Sequence, residues 1–266
     1  MAFKLKDLDD TQAPLLDHLI ELRKRLVRGV MALLVGFGVC YYFVDQIIGF
    51  LVQPLKDSFP EGEAQLIFTK LYEVFFVELK VALFAGFCLS FPIIANQLWA
   101  FVAPGLYARE KRAFLPFLIA TPVLFIAGAA LAYYLVMPVA FTWFIGFEGE
   151  TGGIAIEALP SADEYLSLVM QFILAFGFCF ELPVLLMLLN RAGIVSRAQL
   201  IAGRRYFIVL CFILGAIFTP VDPQSQLMLA IPLYLLFEGS LVLMYFSDKK
   251  AKGEMEDDAE ETVSES

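Results

Sequence analysis

From Val81 to Gly105 the chain carries no charged residue, and from Phe114 to Phe147 it carries none again. About 20 consecutive apolar residues are enough for an α-helix to cross the hydrocarbon core of a bilayer. The chain is 60% hydrophobic with a mean hydropathy of +0.76. A soluble domain is about 45–50% apolar. The excess is surface made for lipid, so the chain reads as an all-α, polytopic integral membrane protein.

The runs predict six transmembrane helices, at about 26–44, 77–100, 114–136, 165–190, 206–221 and 227–246, in one membrane domain reaching residue 248. Prolines punctuate them: Pro116, Pro122 and Pro138 around the third, Pro232 in the sixth, and Glu181-Leu-Pro183 breaking the fourth. Proline frees a backbone carbonyl and kinks a helix. The first outer loop carries the turn residues Pro54, Asp57, Pro60 and Gly62; its second half mixes aromatics with charge and is expected along the membrane surface. The fifth run offers only about 24 Å at 1.5 Å per residue. It either thins the bilayer or extends past these bounds.

The net charge of −9 is misleading if read over the whole chain, because seven acids are concentrated at its end. Glu254, Glu256, Asp257, Asp258, Glu260, Glu261 and Glu265 lie in the last stretch, 249–266, a polar acidic tail expected to be disordered. Of 19 basic residues, only Lys56, Lys70 and Lys80 fall outside the N-terminal segment, the second and fourth connections and the start of the tail. The positive-inside rule then places both termini in the cytoplasm, which agrees with an even number of spans. The first apolar run follows Arg28 with no small-x-small cleavage pattern and reads as a retained anchor.

Candidate functional residues are carboxylates in costly places. His18-Leu-Ile-Glu-Leu-Arg-Lys-Arg-Leu-Val-Arg28 is a charged helical collar set directly against the first apolar run. Glu21 stands at the water–lipid boundary, either as an i,i+4 partner of Arg25 worth about 0.2–0.5 kcal/mol or as part of a site. Glu110 lies among Arg109, Lys111 and Arg112. If Glu21 and Glu110 were neighbours, they would grip two guanidinium groups through bidentate bonds. Glu181 is the most expensive residue: a carboxylate at mid-bilayer costs about 2.5 kcal/mol or more. It must be protonated, paired or turned to a wet cavity. Asp222 and Gln226 sit at a tight outer turn, and Glu238 in the sixth run is a weaker case.

Cys40, Cys88, Cys179 and Cys211 each lie inside an apolar run without metal-ligand spacing and read as small buried hydrophobes; no metal or cofactor is expected. GxxxxGK[ST], HExxH and GxSxG are all missing, which argues against an enzyme and against any use of a nucleotide. No internal repeat is apparent, which counts against an inverted-repeat transporter.

Four segments together resemble the TatC family, the core subunit of the twin-arginine protein translocase. They are His18-Leu-Ile-Glu-Leu-Arg23, Trp99-Ala-Phe-Val-Ala-Pro-Gly-Leu-Tyr-Ala-Arg-Glu110, Phe176-Gly-Phe-Cys-Phe-Glu-Leu-Pro183 and Thr219-Pro-Val-Asp-Pro-Gln-Ser-Gln226. The resemblance runs from about Pro14 to about Asp248. It implies six spans in a concave, glove-like wall in the inner membrane. It also implies a receptor and assembly scaffold for twin-arginine signal peptides, driven by the proton-motive force. Glu21 and Glu110 would be the acids that recognise the arginine pair, with Arg23 and Phe101 in the same region. Glu181 would be the intramembrane acid. Thr219, Asp222 and Gln226 would lie where single-span TatA- and TatB-type subunits make contact, and Pro54 matches a proline of the first outer loop. Homo-oligomers in the receptor complex and membrane lipid are further implied partners; nucleic acid is not. Val221 stands where many members have a second proline, so the rigidity of that turn does not carry over.

An alternative from another class is a proton-coupled secondary transporter using Glu181. The adjacency of Glu21 and Glu110 is supplied by the resemblance alone.

Overall fold

A computed structural model describes residues 9–59, 65–106, 111–151, 154–156, 158–191, 193–218 and 223–264, with side chains from 19 onward except 102–117, 150–157 and 247–264. The described residues are mostly helical, with one small antiparallel hairpin. The helices are α1 (Asp9–Tyr42), α2 (Val44–Lys56), α3 (Glu73–Leu106), α4 (Lys111–Leu131), α5 (Met137–Ile145), α6 (Ala162–Cys179), α7 (Leu182–Arg191), α8 (Arg197–Ala202), α9 (Arg204–Phe218) and α10 (Pro223–Ser264). Strands β1 (Gly149–Thr151) and β2 (Ile154–Ile156) pair in the connection between α5 and α6, which the sequence reads only as a loop.

Five helical stretches are long and apolar enough to cross a membrane: Leu19–Tyr42, Glu73–Phe101, Leu118–Ile145, Ala162–Arg191 and Pro223–Phe246. The expected fifth span corresponds to α9, which at 15 residues reaches about 22 Å. The collar and the first span are one uninterrupted helix, so the charged face of α1 runs straight into its apolar part. The tail expected to be disordered continues α10 as helix to Ser264. Its Ala, Glu, Lys and Met residues are good helix formers, and composition alone underrates that.

The chain divides into two compact units. The first comprises Met1–Gln53, Gln65–Pro122 and Leu159–Leu166. Its main contact is α1 against α3, antiparallel. A Cβ added at Gly36 would lie 2.7 Å from the Gly86 carbonyl oxygen, and one added at Gly86 would lie 2.6 Å from the Phe37 nitrogen. Only glycine lets two backbones approach this closely, the means by which helices associate in lipid. Ser90 sits one turn along and donates its hydroxyl to the Gly86 carbonyl at 2.7 Å.

The other end of this unit is held by Glu73, a buried carboxylate at the start of α3. It accepts from the Thr69 N–H (2.8 Å), the Thr69 hydroxyl (2.9 Å), the Lys70 N–H (3.2 Å) and the Asp163 N–H (3.3 Å). The helix dipole favours an acid there. Nearby, Ala162 N–H donates to the Ile67 carbonyl, Lys80 pairs with Asp163, and the Tyr165 hydroxyl reaches the Leu51 carbonyl at 2.9 Å. Trp99 donates its indole N–H to the buried Thr121 hydroxyl at 2.9 Å.

The second unit comprises Pro54–Ala64, Val123–Ala158 and Ser167–Ser266. A Cβ at Gly128 would fall 2.4 Å from the Phe176 carbonyl oxygen, and one at Gly177 would strike the Phe125 ring at 2.6 Å. Between α4 and α5 the helix widens into a π turn, Ala132–Val136, directly before Pro138. Proline has no N–H to continue the ladder, and the wider turn absorbs the mismatch. The helix breaks at Phe180-Glu181 ahead of Pro183, as the sequence predicts. Helices α9 and α10 share a core of Cys211, Ala230 and Leu233, beside Phe207 stacked on Phe237 at 4.0 Å between ring centroids. Glu238 accepts from Arg204 at 2.7 Å and from the Tyr234 hydroxyl at 2.9 Å.

The glycine contact yields a prediction. Gly86→Ala forces α1 and α3 apart and lowers stability in detergent by about 1–3 kcal/mol. Gly38, which has nothing within 4 Å of an added Cβ, is the control. Gly38→Ala is neutral or stabilises by a few tenths of a kcal/mol up to about 1 kcal/mol. Thermal unfolding of both variants checks the pair.

Candidate functional site

In the first unit, α1 presents Leu22, Arg25, Leu26, Gly29, Val30 and Leu33, and α3 presents Phe87, Ile94, Gln97, Leu98 and Phe101. Both sets recur at helical spacing, so each is one face. Between them lies a groove of about 320 Å³. Glycine shapes it twice. The Gly36–Gly86 contact draws the helices together at one end, and Gly29, whose added Cβ would lie 3.9 Å from Ile94, leaves room at the middle. The groove belongs to the half of α1 that carries the basic collar.

At its mouth Arg25 donates through Nε (3.0 Å) and Nη2 (2.5 Å) to Oε1 of Glu21. The bland sequence reading of Glu21, an i,i+4 partner for Arg25, is therefore present. Arg25 is the more buried partner, at 20% side-chain exposure against 38% for Glu21. Deeper in the wall, the Gln97 oxygen Oε1 is buried and has no hydrogen-bond partner among the described residues. Leaving a buried acceptor unsatisfied costs about 1–3 kcal/mol.

The other expected residues are placed as follows. Phe101 lines the groove and is half-buried. Arg23 is exposed on α1 and is not among the groove residues. Glu110, Thr219 and Asp222 lie outside the described residues, as does the side chain of His18. In the second unit, Glu181 sits at the break between α6 and α7, with both carboxylate oxygens buried. Gln226 lies inside α10 rather than in a turn, and its amide donates to the Phe212 carbonyl of α9 at 2.9 Å. Pro54 is buried in the last turn of α2, where Ser58 bonds its carbonyl at 2.8 Å. No group of three or more metal-ligating side chains occurs among the described residues.

Gln97 carries no weight in the sequence reading. Its signal was available: Asn96-Gln97 is a pair of amides inside a run with no charge, and polar side chains within a span are expensive and functional by default.

The sequence model of one protein family, described as Sec-independent protein translocase protein (TatC), matches residues 17–232. The chain belongs to the TatC family. The TatC protein of Magnetococcus marinus is 52% identical over 232 residues, spanning 87% of this chain and 84% of that one. The TatC proteins of Aquifex aeolicus and Escherichia coli are each 41% identical, over 90% and 87% of this chain and 98% and 87% of theirs. A crystal structure titled Twin Arginine Translocase Receptor- TatC in DDM is similar with a TM-score of 0.75 at 41% identity, covering 85% of this chain and 98% of that one. A second structure of the same receptor has a TM-score of 0.74 at 40% identity, covering 87% and 99%. TatC proteins are protein-translocase components and not a known catalytic family, and the apolar spans here agree with a multi-pass membrane subunit. The five spanning stretches and the shorter apolar α9 of the described residues belong to the fold of these TatC structures.

The groove geometry has a direct check. In a variant with its native cysteines replaced, Gly29→Cys with Ile94→Cys forms a disulfide under mild oxidation, since a Cβ at Gly29 lies 3.9 Å from the Ile94 Cγ1, near where a cysteine sulfur would sit. The pair Gly38→Cys with Ile94→Cys stays reduced. Gel mobility under non-reducing conditions distinguishes them.

Proposed function

We propose that this chain is the signal-peptide receptor and assembly scaffold of a twin-arginine translocase. It lies in the cytoplasmic (inner) membrane with both termini inside, as the distribution of its basic residues supports. The observation that carries the reading is the α1–α3 groove, with apolar walls that include Phe101 and a lining arginine, Arg25, paired to the carboxylate of Glu21. A signal peptide with an arginine pair ahead of an apolar stretch matches it part for part.

Glu21 is already engaged by Arg25. Binding is therefore an exchange: an incoming guanidinium takes the carboxylate over, and Arg25 turns to water. Glu110 supplies the second carboxylate. A guanidinium offers a planar fork of donors that an ammonium does not, so exchange favours Arg over Lys. The apolar stretch then lies along Leu26, Val30 and Ile94. Membership of the TatC family supports the proton-motive force as the energy source, in keeping with a sequence that carries no GxxxxGK[ST] motif. Single-span TatA- and TatB-type subunits dock near Thr219, Asp222 and Gln226, and several copies assemble. One observation favours the alternative of a proton-coupled transporter, the burial of both Glu181 oxygens. That alternative requires small-solute flux in vesicles holding this chain alone.

Binding of a labelled Arg-Arg signal peptide to the purified protein in lipid nanodiscs tests the proposal. The expected result is a preference for Arg-Arg over Lys-Lys, with Glu21→Ala and Glu110→Ala each weakening binding at least tenfold. Equal binding of both peptides overturns it. The exchange step makes a separate prediction. Arg25→Gln removes the resident competitor and tightens Arg-Arg binding by about two- to fivefold, the scale of a partly exposed ion pair.

A further inference from the structure

We infer that Gln97 is a positioning residue that caps the first turn of the bound signal helix, with its Oε1 accepting a backbone N–H of the ligand. The inference rests on the receptor reading above and names what the groove wall does in it.

The argument begins with the unsatisfied acceptor. Oε1 of Gln97 is buried in a groove whose other wall residues are apolar apart from Arg25. Asn or Gln in lipid ordinarily bonds to a neighbouring helix. Here the described neighbours leave the acceptor open, so the complete site includes a donor that arrives with the ligand. A phospholipid acyl chain filling the groove has no N–H or O–H to offer. A peptide in the middle of a helix has none either, because its N–H groups are spent on its own carbonyls. The first turn of a helix does: its first four N–H groups have no intrahelical partner, and leaving them bare in lipid is costly.

Register places the two groups together. The Gly36–Gly86 and Gly29–Ile94 contacts fix α1 and α3 antiparallel. In that register Gln97 stands near the level of Arg25 and Leu26, about one helical turn, or 5.4 Å, deeper than Glu21. A peptide whose arginine pair is held by Glu21 would therefore begin its apolar helix beside Gln97. A side-chain oxygen that satisfies first-turn N–H groups is what an N-cap residue supplies within a chain. The receptor supplies it here from outside.

The test is a double-mutant cycle on the full chain in nanodiscs. One partner is Gln97→Leu, with Gln97→Met as a second variant. The other is an Arg-Arg signal peptide carrying a backbone ester in place of the amide at each of the first three positions after the pair in turn. Removing an unsatisfied acceptor leaves the thermal midpoint unchanged or raised, which separates loss of binding from loss of fold. The expected result is that wild type loses about five- to tenfold in affinity with one of the esters. Both Gln97 variants lose a similar factor and no longer respond to that ester. Wild-type affinity in the Gln97 variants, or an undiminished ester effect in them, overturns the inference. Wild type that prefers Arg-Arg but ignores every ester overturns it alone. Wild type that does not distinguish Arg-Arg from Lys-Lys overturns the receptor reading, and this inference with it.

Discussion

The backbone contact between Gly36 and Gly86 is the constraint from which the first unit follows. Between helices in lipid there is little hydrophobic driving force, because the surroundings are as apolar as the side chains. Close packing must do the work, and it needs residues without a Cβ. Once α1 and α3 touch at that point, their register is set over the rest of their length. The groove lies along the half toward the basic collar of α1. Its width depends on Gly29, its polarity on Gln97 and Arg25, and its mouth on Glu21.

The second unit uses glycine in the same way but to another end. Gly128 and Gly177 bring α4 against α6, and Gly215 makes room for Gln226 between α9 and α10. Its polar side chains are for the most part satisfied by local bonds: Glu238 by Arg204 and Tyr234, Gln226 by the Phe212 carbonyl, and Arg197 by the Leu241 carbonyl beneath the Tyr245 ring. Such pairing explains why polar residues are tolerated in short apolar helices.

Much of the fold was legible in the chain. Long uncharged runs mark the helices, Glu181-Leu-Pro183 marks the break between α6 and α7, and i,i+4 spacing marks the Glu21–Arg25 pair, since each of these is a local property. What escaped depends on contacts between distant segments. Nothing near Gly36 distinguishes it from Gly38 two residues on, yet one faces a backbone and the other faces open space. Glu73 is not singled out by the sequence, and its role exists only once the Thr69 and Asp163 amides are placed around it. The helix in the tail escaped because composition records charge and ignores helix propensity. Of the candidate site, Glu21 and Phe101 were named from the residues and the resemblance. Gln97 was not, because its significance is a missing partner, and that exists only in three dimensions.

Site-specific photocrosslinking locates the bound peptide on this surface. A benzophenone amino acid at Leu98, in the groove, is compared with one at Leu34, exposed on α1 and absent from the groove. Adducts to the signal peptide from Leu98 but not from Leu34, abolished by excess unlabelled Arg-Arg peptide, are the predicted result. Peptide adducts of equal yield at both positions, or lipid adducts alone at Leu98, would contradict a peptide site between α1 and α3.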